Sequence, residues 1–495
     1  MDDSYHILDL GGLLLQRFHG SSDKQWQTAL LDFIDTHLTP YLADVAPRQF
    51  IAVLDKGNTY RLNRWPAYKQ QRLSREREPE VAKQTAELMQ KAGDFLAYLG
   101  VKQVWVPGEE ADDVIALLCG KLEGIKLVHT VDQDLLVLVN EHTSVLRNNQ
   151  LHSMGIASAD QVIPYPLISL YKALVGDSSD GYVGVHGFGE KAWDRLYAQL
   201  QSEGMAWLQW VIANDQPDQL APYTAGSKDL DLIYRKWHEA RRGWDLASLH
   251  PEACYGSYRS SSGQERPKLP QWRVRIPHAE RVRAILTEAC AAMVIPPLVE
   301  AEVARRMQAL EPWFPTQRLV DATSNLLPSL VQDILASPIV SYDFESSDRL
   351  NWAPFRQAAD KDYVDVLSQD LAGISINWGR NLQHTIYLPF DHRDTANYGK
   401  AWAEWLLSAL SSRRERCVVQ NAAFELVVAQ RNLGYMPKAP YDTAIMASYV
   451  DENEENGLKS MSQRLLGYKQ LSYAEVTQGR AMCELSGEEV LQYGC

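Results

Sequence analysis

At 495 residues, with 63 Asp and Glu against 49 Lys and Arg, the chain is long enough for two or three domains with substantial cores. Its formal net charge of −14 argues against a protein that coats nucleic acid through a generally basic surface, though it leaves room for local basic strips. The six cysteines are scattered without paired spacing, which argues against a disulfide framework or a zinc site and for reduced thiols. No apolar run reaches membrane-spanning length, and Asp2, Asp3 and His6 interrupt any signal-peptide pattern.

The first apolar run, His6-Ile-Leu-Asp9, ends in an aspartate and passes through Leu10-Gly-Gly toward Gln16 and Arg17 as a strand, a turn and a helix. A second run, Phe50 to Leu54, ends in Asp55 and is followed by the turn Lys56-Gly57-Asn58, then by Tyr60-Arg61, Tyr68-Lys69 and Arg72. Basic residues interleaved with tyrosines suit phosphate contacts plus base stacking, and an ordinary solvated surface accounts for them equally well. Residues 73–80 alternate in charge and read as a mobile, solvated loop before a helical pattern from Val81 to Leu99.

Next comes Pro107-Gly-Glu-Glu110-Ala-Asp112-Asp113, at the junction of a loop and a stretch with helical apolar spacing. Acids in a first helical turn are good capping residues, and taken alone that explanation suffices. Two further runs also end in aspartate: Leu127 to Val131 before Asp132 and Asp134, and Leu174-Val-Gly before Asp177 and Asp180. The runs ending at Asp9, Asp55 and Asp132 read as buried parallel strands, whose carboxyl ends line the crevice of an open α/β sheet. Clustered buried carboxylates repel unless a hard cation joins them, and oxygen-only ligands point to magnesium or manganese. Gly184, Gly187 and Gly189, followed by Lys191, form a glycine-rich loop that lets backbone N–H groups approach a phosphate, with a helix starting near Glu190.

Taken together, residues 1 to about 300 resemble the 5′-nuclease (flap endonuclease) domain of bacterial and phage family A DNA polymerases. The resemblance rests on Asp9 with Phe18-His19, Asp55 with Arg61, Tyr68-Lys69 and Arg72, Glu110-Ala-Asp112-Asp113, Asp132-Gln-Asp134, and Gly176-Asp177-Ser-Ser-Asp180 with the glycine loop. It implies an α/β, PIN-like parallel sheet. It further implies two divalent ions, Mg2+ or Mn2+, held directly or through water by Asp9, Asp55, Glu110, Asp112, Asp113, Asp132, Asp134, Asp177 and Asp180. Lys69 and Arg72 would contact the scissile phosphate, and residues around 72–85 would arch over the 5′ strand. Arg17, Arg61, Tyr68, Gly184, Gly187, Gly189 and Lys191 would bind DNA, the glycines within a helix-hairpin-helix that takes a K+ ion. The chain departs from the family pattern at Asp9-Leu-Gly-Gly, at Gln16 in place of the usual Arg, and at Gly181-Tyr-Val183.

Residues 205–310 read as helical, with Trp207, Trp210, Trp237, Trp244 and Trp272 assigned to the core, and 311–325 as a linker. A second domain opens with Asp343 and Glu345 on one face of a strand, and continues to Asn421, Phe424-Glu425 and Tyr493. This set resembles the 3′–5′ proofreading exonuclease of the same polymerases, an RNase H-like fold. The Asp of its last motif would fall two places beyond Cys495. The expected organisation is a 5′-nuclease core at 1–200, its helical part at 201–310, the linker at 311–325, and an incomplete exonuclease at 326–495. The expected partners are a 5′ flap, nicked or gapped DNA and a polymerase in cis or as a separate chain, in a bacterial or phage-infected cytoplasm, with no membrane.

Overall fold

The computed structural model describes residues 4–70, 78–154, 163–259, 265–348, 366, 369–379, 384–411, 417–437, 441–450 and 452–494. The chain divides into two compact units, Met1–Arg273 with Arg281–Ala309, and Val274–Glu280 with Leu310–Cys495.

In the first unit the apolar runs become β1 (Ser4–Asp9), β2 (Phe50–Val53), β3 (Lys102–Trp105), β4 (Ile125–Thr130), β5 (Thr143–Arg147) and β6 (Gln150–His152). In the central strands Ile7, Leu8, Phe50, Ile51, Ala52, Val53 and Val128 are buried, as strands covered on both faces require. β1 lies in the middle of the sheet, parallel to β2 on one side and β4 on the other. Its Leu8 is opposite both Ala52 and His129. The chain leaves β1 toward β2 and returns to β1's other side as β4, so a crevice opens at the carboxyl ends of these strands.

Helix Leu10–Gly20 starts directly from Asp9, so Gly11 and Gly12 lie in its first turn and no separate turn intervenes. Their missing Cβ atoms have a use. A Cβ on Gly12 would sit 2.6 Å from an Asp9 carboxylate oxygen, and one on Gly11 would sit 3.3 Å from Asp55. Behind β1 and β4, His6, His37 and His129 form a buried chain, with contacts of 3.0 Å from His6 to His129 and 3.4 Å from His37 to His129.

β7 (Gly176–Asp177) and β8 (Tyr182–Val183) form a small hairpin between helices Ile168–Val175 and Glu190–Ala213. The longer helix bends at Gln201, where φ is +56°. The remainder of the unit is not wholly helical. β9 (Ser257–Arg259) pairs with β10 (Glu265–Pro267), and β11 (Gln271–Arg273) adds antiparallel to β3 at the sheet edge. Edge placement leaves Trp272 47% exposed, and Trp210 is 52% exposed on its helix, so neither belongs to the core. Trp207, Trp237 and Trp244 do pack against it.

The second unit holds a six-stranded sheet of β12 (Thr316–Leu319), β13 (Val340–Asp348), β14 (Gln369–Trp378), β15 (His384–Pro389), β16 (Cys417–Val419) and β17 (Tyr441–Asp442). Its order is β12-β15-β14-β13-β16-β17. The stretch read as a linker contains the edge strand β12 together with the buried Trp313, Phe314 and Val320. A polar edge strand has no period-two pattern to announce it, and Pro312 and Pro315 precede it. No described helix is long and apolar enough to cross a membrane.

Candidate metal centres

The carboxyl ends of β1, β2 and β4 and the start of helix Ala111–Lys121 bring Asp9, Asp55, Asp112 and Asp132 together. Asp9 accepts from the Thr130 hydroxyl at 2.7 Å, and Asp55 from the Ala111 N–H at 2.7 Å. Asp132 accepts from the Asp134 N–H at 2.9 Å. Burial pushes the Asp9 carboxyl up to about 7, the Thr130 hydrogen bond opposes it, and the charges of Asp55 and Asp132 add to it. Asp112 is held well above the ordinary carboxylate range by burial, then by Asp132, Asp9 and Glu110. A second group, Asp134, Asp177 and Asp180, offers carboxylate oxygens all within 4.8 Å of one another. Burial and Asp132 raise Asp134 to about 6, against the pull of Lys172. Burial opposes ionisation of Asp177, yet Lys172 and Ser179 hold it down to about 2. A donor set of carboxylate oxygens alone, crowded enough to repel, fits a hard divalent cation.

Lys69 joins the two groups. Its ammonium contacts Glu110 and lies 3.8 Å from Asp180, and its backbone N–H donates to the Asp180 carbonyl at 3.2 Å. The residue is fixed in the left-handed region at φ +54°.

Several expected roles change in the folded chain. Arg61, expected on a DNA-binding strip, is 3% exposed, and its guanidinium pairs with both oxygens of Asp113 at 2.6 and 3.1 Å. It also donates to the Leu246 and Ser248 carbonyls, and Asp113 accepts from the His250 N–H at 2.8 Å. Arg61 is therefore buried in ion pairs with Asp113 and with Glu110, the latter at 2.8 Å, and Asp113 accepts three hydrogen bonds from the chain itself. Tyr68, expected to stack on bases, is buried, with its hydroxyl 3.0 Å from Asp180 and 3.3 Å from Glu110. Arg17 is engaged by Asp32 at 3.3 Å and by His37 at 3.2 Å. Arg72 and the loop at 73–77 lie outside the described residues.

At the hairpin, a Cβ on Gly184 would overlap the Leu174 carbonyl, and Gly187 has φ +88°. Gly189 caps the following helix with open space where a Cβ would stand, and Lys191 is exposed on that helix. The sequence reading missed Lys172, whose ammonium contacts Asp134 and lies 2.7 Å from Asp177. The available signal was a single lysine in the otherwise uncharged helix Ile168–Val175.

In the second unit β13 presents Asp343 and Glu345, and Glu425 accepts from the Phe344 N–H at 3.0 Å. Burial raises Asp343 to about 6, and burial with the Asp343 charge holds Glu345 and Glu425 well above their usual range. Tyr493 belongs to this group, since burial and the charges of Glu345 and Asp343 push its phenol up. Asn421 takes a different part. At φ +57° it caps helix Ala422–Leu433, its N–H and that of Ala422 donating to Asp442 at 3.1 and 2.8 Å.

Residues 4–163 match the family model of the 5′-3′ exonuclease N-terminal resolvase-like domain, and residues 361–494 match that of the 3′-5′ exonuclease. The two matched segments mark a 5′-nuclease-type domain and a 3′–5′ exonuclease-type domain, similar to those of DNA polymerase I-like proteins. The 5′-nuclease domain is similar to DNA polymerase I of Mycobacterium bovis, with 33% identity over 178 residues covering 32% of this chain and 19% of that protein. It is also similar to the 5′-3′ exonuclease of Bacillus subtilis, with 31% identity over 176 residues covering 34% of this chain and 57% of that one. The chain thus spans about a fifth of the length of the polymerases it first matches. A solved structure of T5 5′-exonuclease with divalent metal ions (zinc) bound aligns at 18% identity and a TM-score of 0.40, covering 62% of this chain and 99% of that one.

Proposed function

We propose that the 5′-nuclease domain hydrolyses DNA phosphodiesters beside a free 5′ end or flap, with two divalent cations, Mg2+ or Mn2+, one at each carboxylate group. The observation that carries this reading is the position of Lys69, an ammonium latched between the two groups where a phosphate would have to lie. Asp9, Asp112 and Asp132 would hold one ion, with Asp55 and Glu110 acting directly or through water. Asp134, Asp177 and Asp180 would hold the other. When bound, the ions would lower the pKa of an attacking water and stabilise the leaving oxygen.

The chain's own residues do the rest. Thr130 fixes one oxygen of Asp9 and Asp55 receives the Ala111 N–H, so the ligands are oriented before any substrate arrives. Lys69 supplies positive charge where negative charge grows on the phosphate, an effect on the transition state more than on binding. The glycine hairpin and Lys191 grip the duplex backbone, the hairpin with a K+ ion. The substrate would be a 5′ flap, nick or gap, met in the cytoplasm, with a polymerase acting in cis or as a separate chain.

The test is cleavage of a 5′-labelled flap by the Asp132→Asn chain. Cleavage should fall by orders of magnitude while flap binding persists, and full cleavage at low magnesium refutes the assignment. A second reading, 3′–5′ hydrolysis by the other domain, is favoured by the convergence of Asp343, Glu345, Glu425 and Tyr493. Release of mononucleotides from a 3′-labelled strand, lost in Asp343→Ala, would support it.

A further inference from the structure

Lys172 has no place in the reading above. It projects from the last turn of helix Ile168–Val175. Its ammonium contacts Asp134 and lies 2.7 Å from Asp177, two of the three carboxylates assigned to the second ion. The side chains of Lys172, Asp134 and Asp177 are all largely buried, with 16%, 17% and 9% of their surfaces exposed. An ammonium and a divalent cation compete for these oxygens, because both are hard cations drawn to the same lone pairs in a partly desolvated place.

We propose that Lys172 is an internal cation of the second carboxylate group, a positioning residue that occupies the ion's place until the ion displaces it. The inference rests on the two-ion reading of the 5′-nuclease domain. Without Lys172 the acids of this group would repel one another, as Asp9 and Asp112 do in the first, so the lysine keeps them ordered and together. The cost falls on ion affinity. An ion entering the second group must loosen the ammonium from two ligands, whereas in the first group Lys69 contacts Glu110 alone and no lysine contacts Asp9, Asp112 or Asp132 among the described residues. The two ions should therefore bind unequally to the DNA-free chain, the first tighter than the second. Lysine suits this part, since its compact charge on a flexible stem can swing away, where the planar fork of arginine would hold two carboxylates more firmly.

The test is calorimetric titration of Mn2+ into the full, DNA-free chain. Two unequal sites are expected, the tighter one lost in Asp112→Asn and the weaker one in Asp177→Asn. Lys172→Met should tighten the weaker site on the order of tenfold, the equivalent of about 1.4 kcal/mol. Lys172→Arg should loosen it. Lys172→Gln, neutral but with an amide that can donate to a carboxylate, should tighten it as Met does, and it serves as the measurement if Lys172→Met fails to fold. A purely structural lysine predicts the opposite, looser binding in Met and Gln, and that result or an unchanged affinity overturns the proposal. Absence of any Mn2+ uptake by the unaltered chain would overturn the two-ion reading itself, and this inference with it.

Discussion

The two domains each gather carboxylates on a sheet, yet they balance the charge differently. In the 5′-nuclease domain cations from the chain reach into the acids: Lys69 onto Glu110, Lys172 onto Asp134 and Asp177, and Arg61 onto Asp113 and Glu110. In the exonuclease domain no ion pair reaches Asp343, Glu345 or Glu425 among the described residues, and Lys459 lies 5.3 Å from the Tyr493 ring. The first site is therefore neutralised in part by its own side chains, with Asp9 and Asp112 still repelling their neighbours, while the second has no such pairing among the described residues. Similar donor sets can thus give a stiff metal-free state or a strained one, depending on which cations the fold delivers.

The sharpest way to break this comparison is to remove a central acid of the first site. Asp112→Asn should reduce single-turnover cleavage of a 5′ flap by on the order of 10²–10³-fold while gel-shift affinity for the flap holds. A variant that cuts at the unaltered rate would place the chemistry elsewhere.

Removing a cation tests the structural half. Arg61→Ala leaves Asp113 buried without its partner and should destabilise the 5′-nuclease domain by about 3–5 kcal/mol in urea unfolding. If Arg61 served DNA instead, flap affinity would fall and the unfolding midpoint would stay.

The exonuclease domain should respond in the other direction. The Asp343 carboxyl titrates near 6 in the folded domain, above the ordinary range, so folding binds a proton there that the unfolded chain has released. Its stabilising effect is present at low pH and lost as pH rises through about 6. Asp343→Asn should therefore stabilise the metal-free domain at pH 8 by about 1–3 kcal/mol, with little gain at pH 4. Loss of stability at pH 8 would show that a hidden cation pairs with it.

The smallest effect concerns the histidines behind β1 and β4. Burial lowers His37 to about 4, and Arg17 adds to the shift. The unfolded chain therefore takes up a proton near 6.5 that the folded one refuses until about 4, and stability falls as pH drops through that window. His37→Gln escapes the penalty, so the stability difference between it and the unaltered chain should shift by about 1–2 kcal/mol in its favour from pH 7 to pH 5. A pH-independent difference would mean that His37 takes up its proton as readily in the folded chain as in the unfolded one.

Much of this was legible in the sequence because the cues were local. Apolar runs ending at Asp9, Asp55 and Asp132 announced parallel strands and a shared crevice, and Glu110-Ala-Asp112 announced a helix start. What failed to show was pairing over distance. Arg61 and Asp113 are 52 residues apart, and nothing near Arg61 distinguishes a buried guanidinium from a surface one. Lys172 stayed hidden in part for the same reason: Asp177 is close in the chain, but Asp134 lies on the far side of β5 and β6. β11 and β12 escaped notice because short edge strands carry too few buried residues to show a period.

The anchor of Arg61 also sets an order of events during synthesis. Its guanidinium needs the carbonyls of Leu246 and Ser248, and Asp113 needs the N–H of His250. A nascent chain that has emerged only as far as Asp180 already carries every carboxylate of the two proposed ion sites, but it lacks the partners that clamp the helix bearing Asp112. During synthesis, then, this clamp cannot close until His250 has been made, some seventy residues after Asp180.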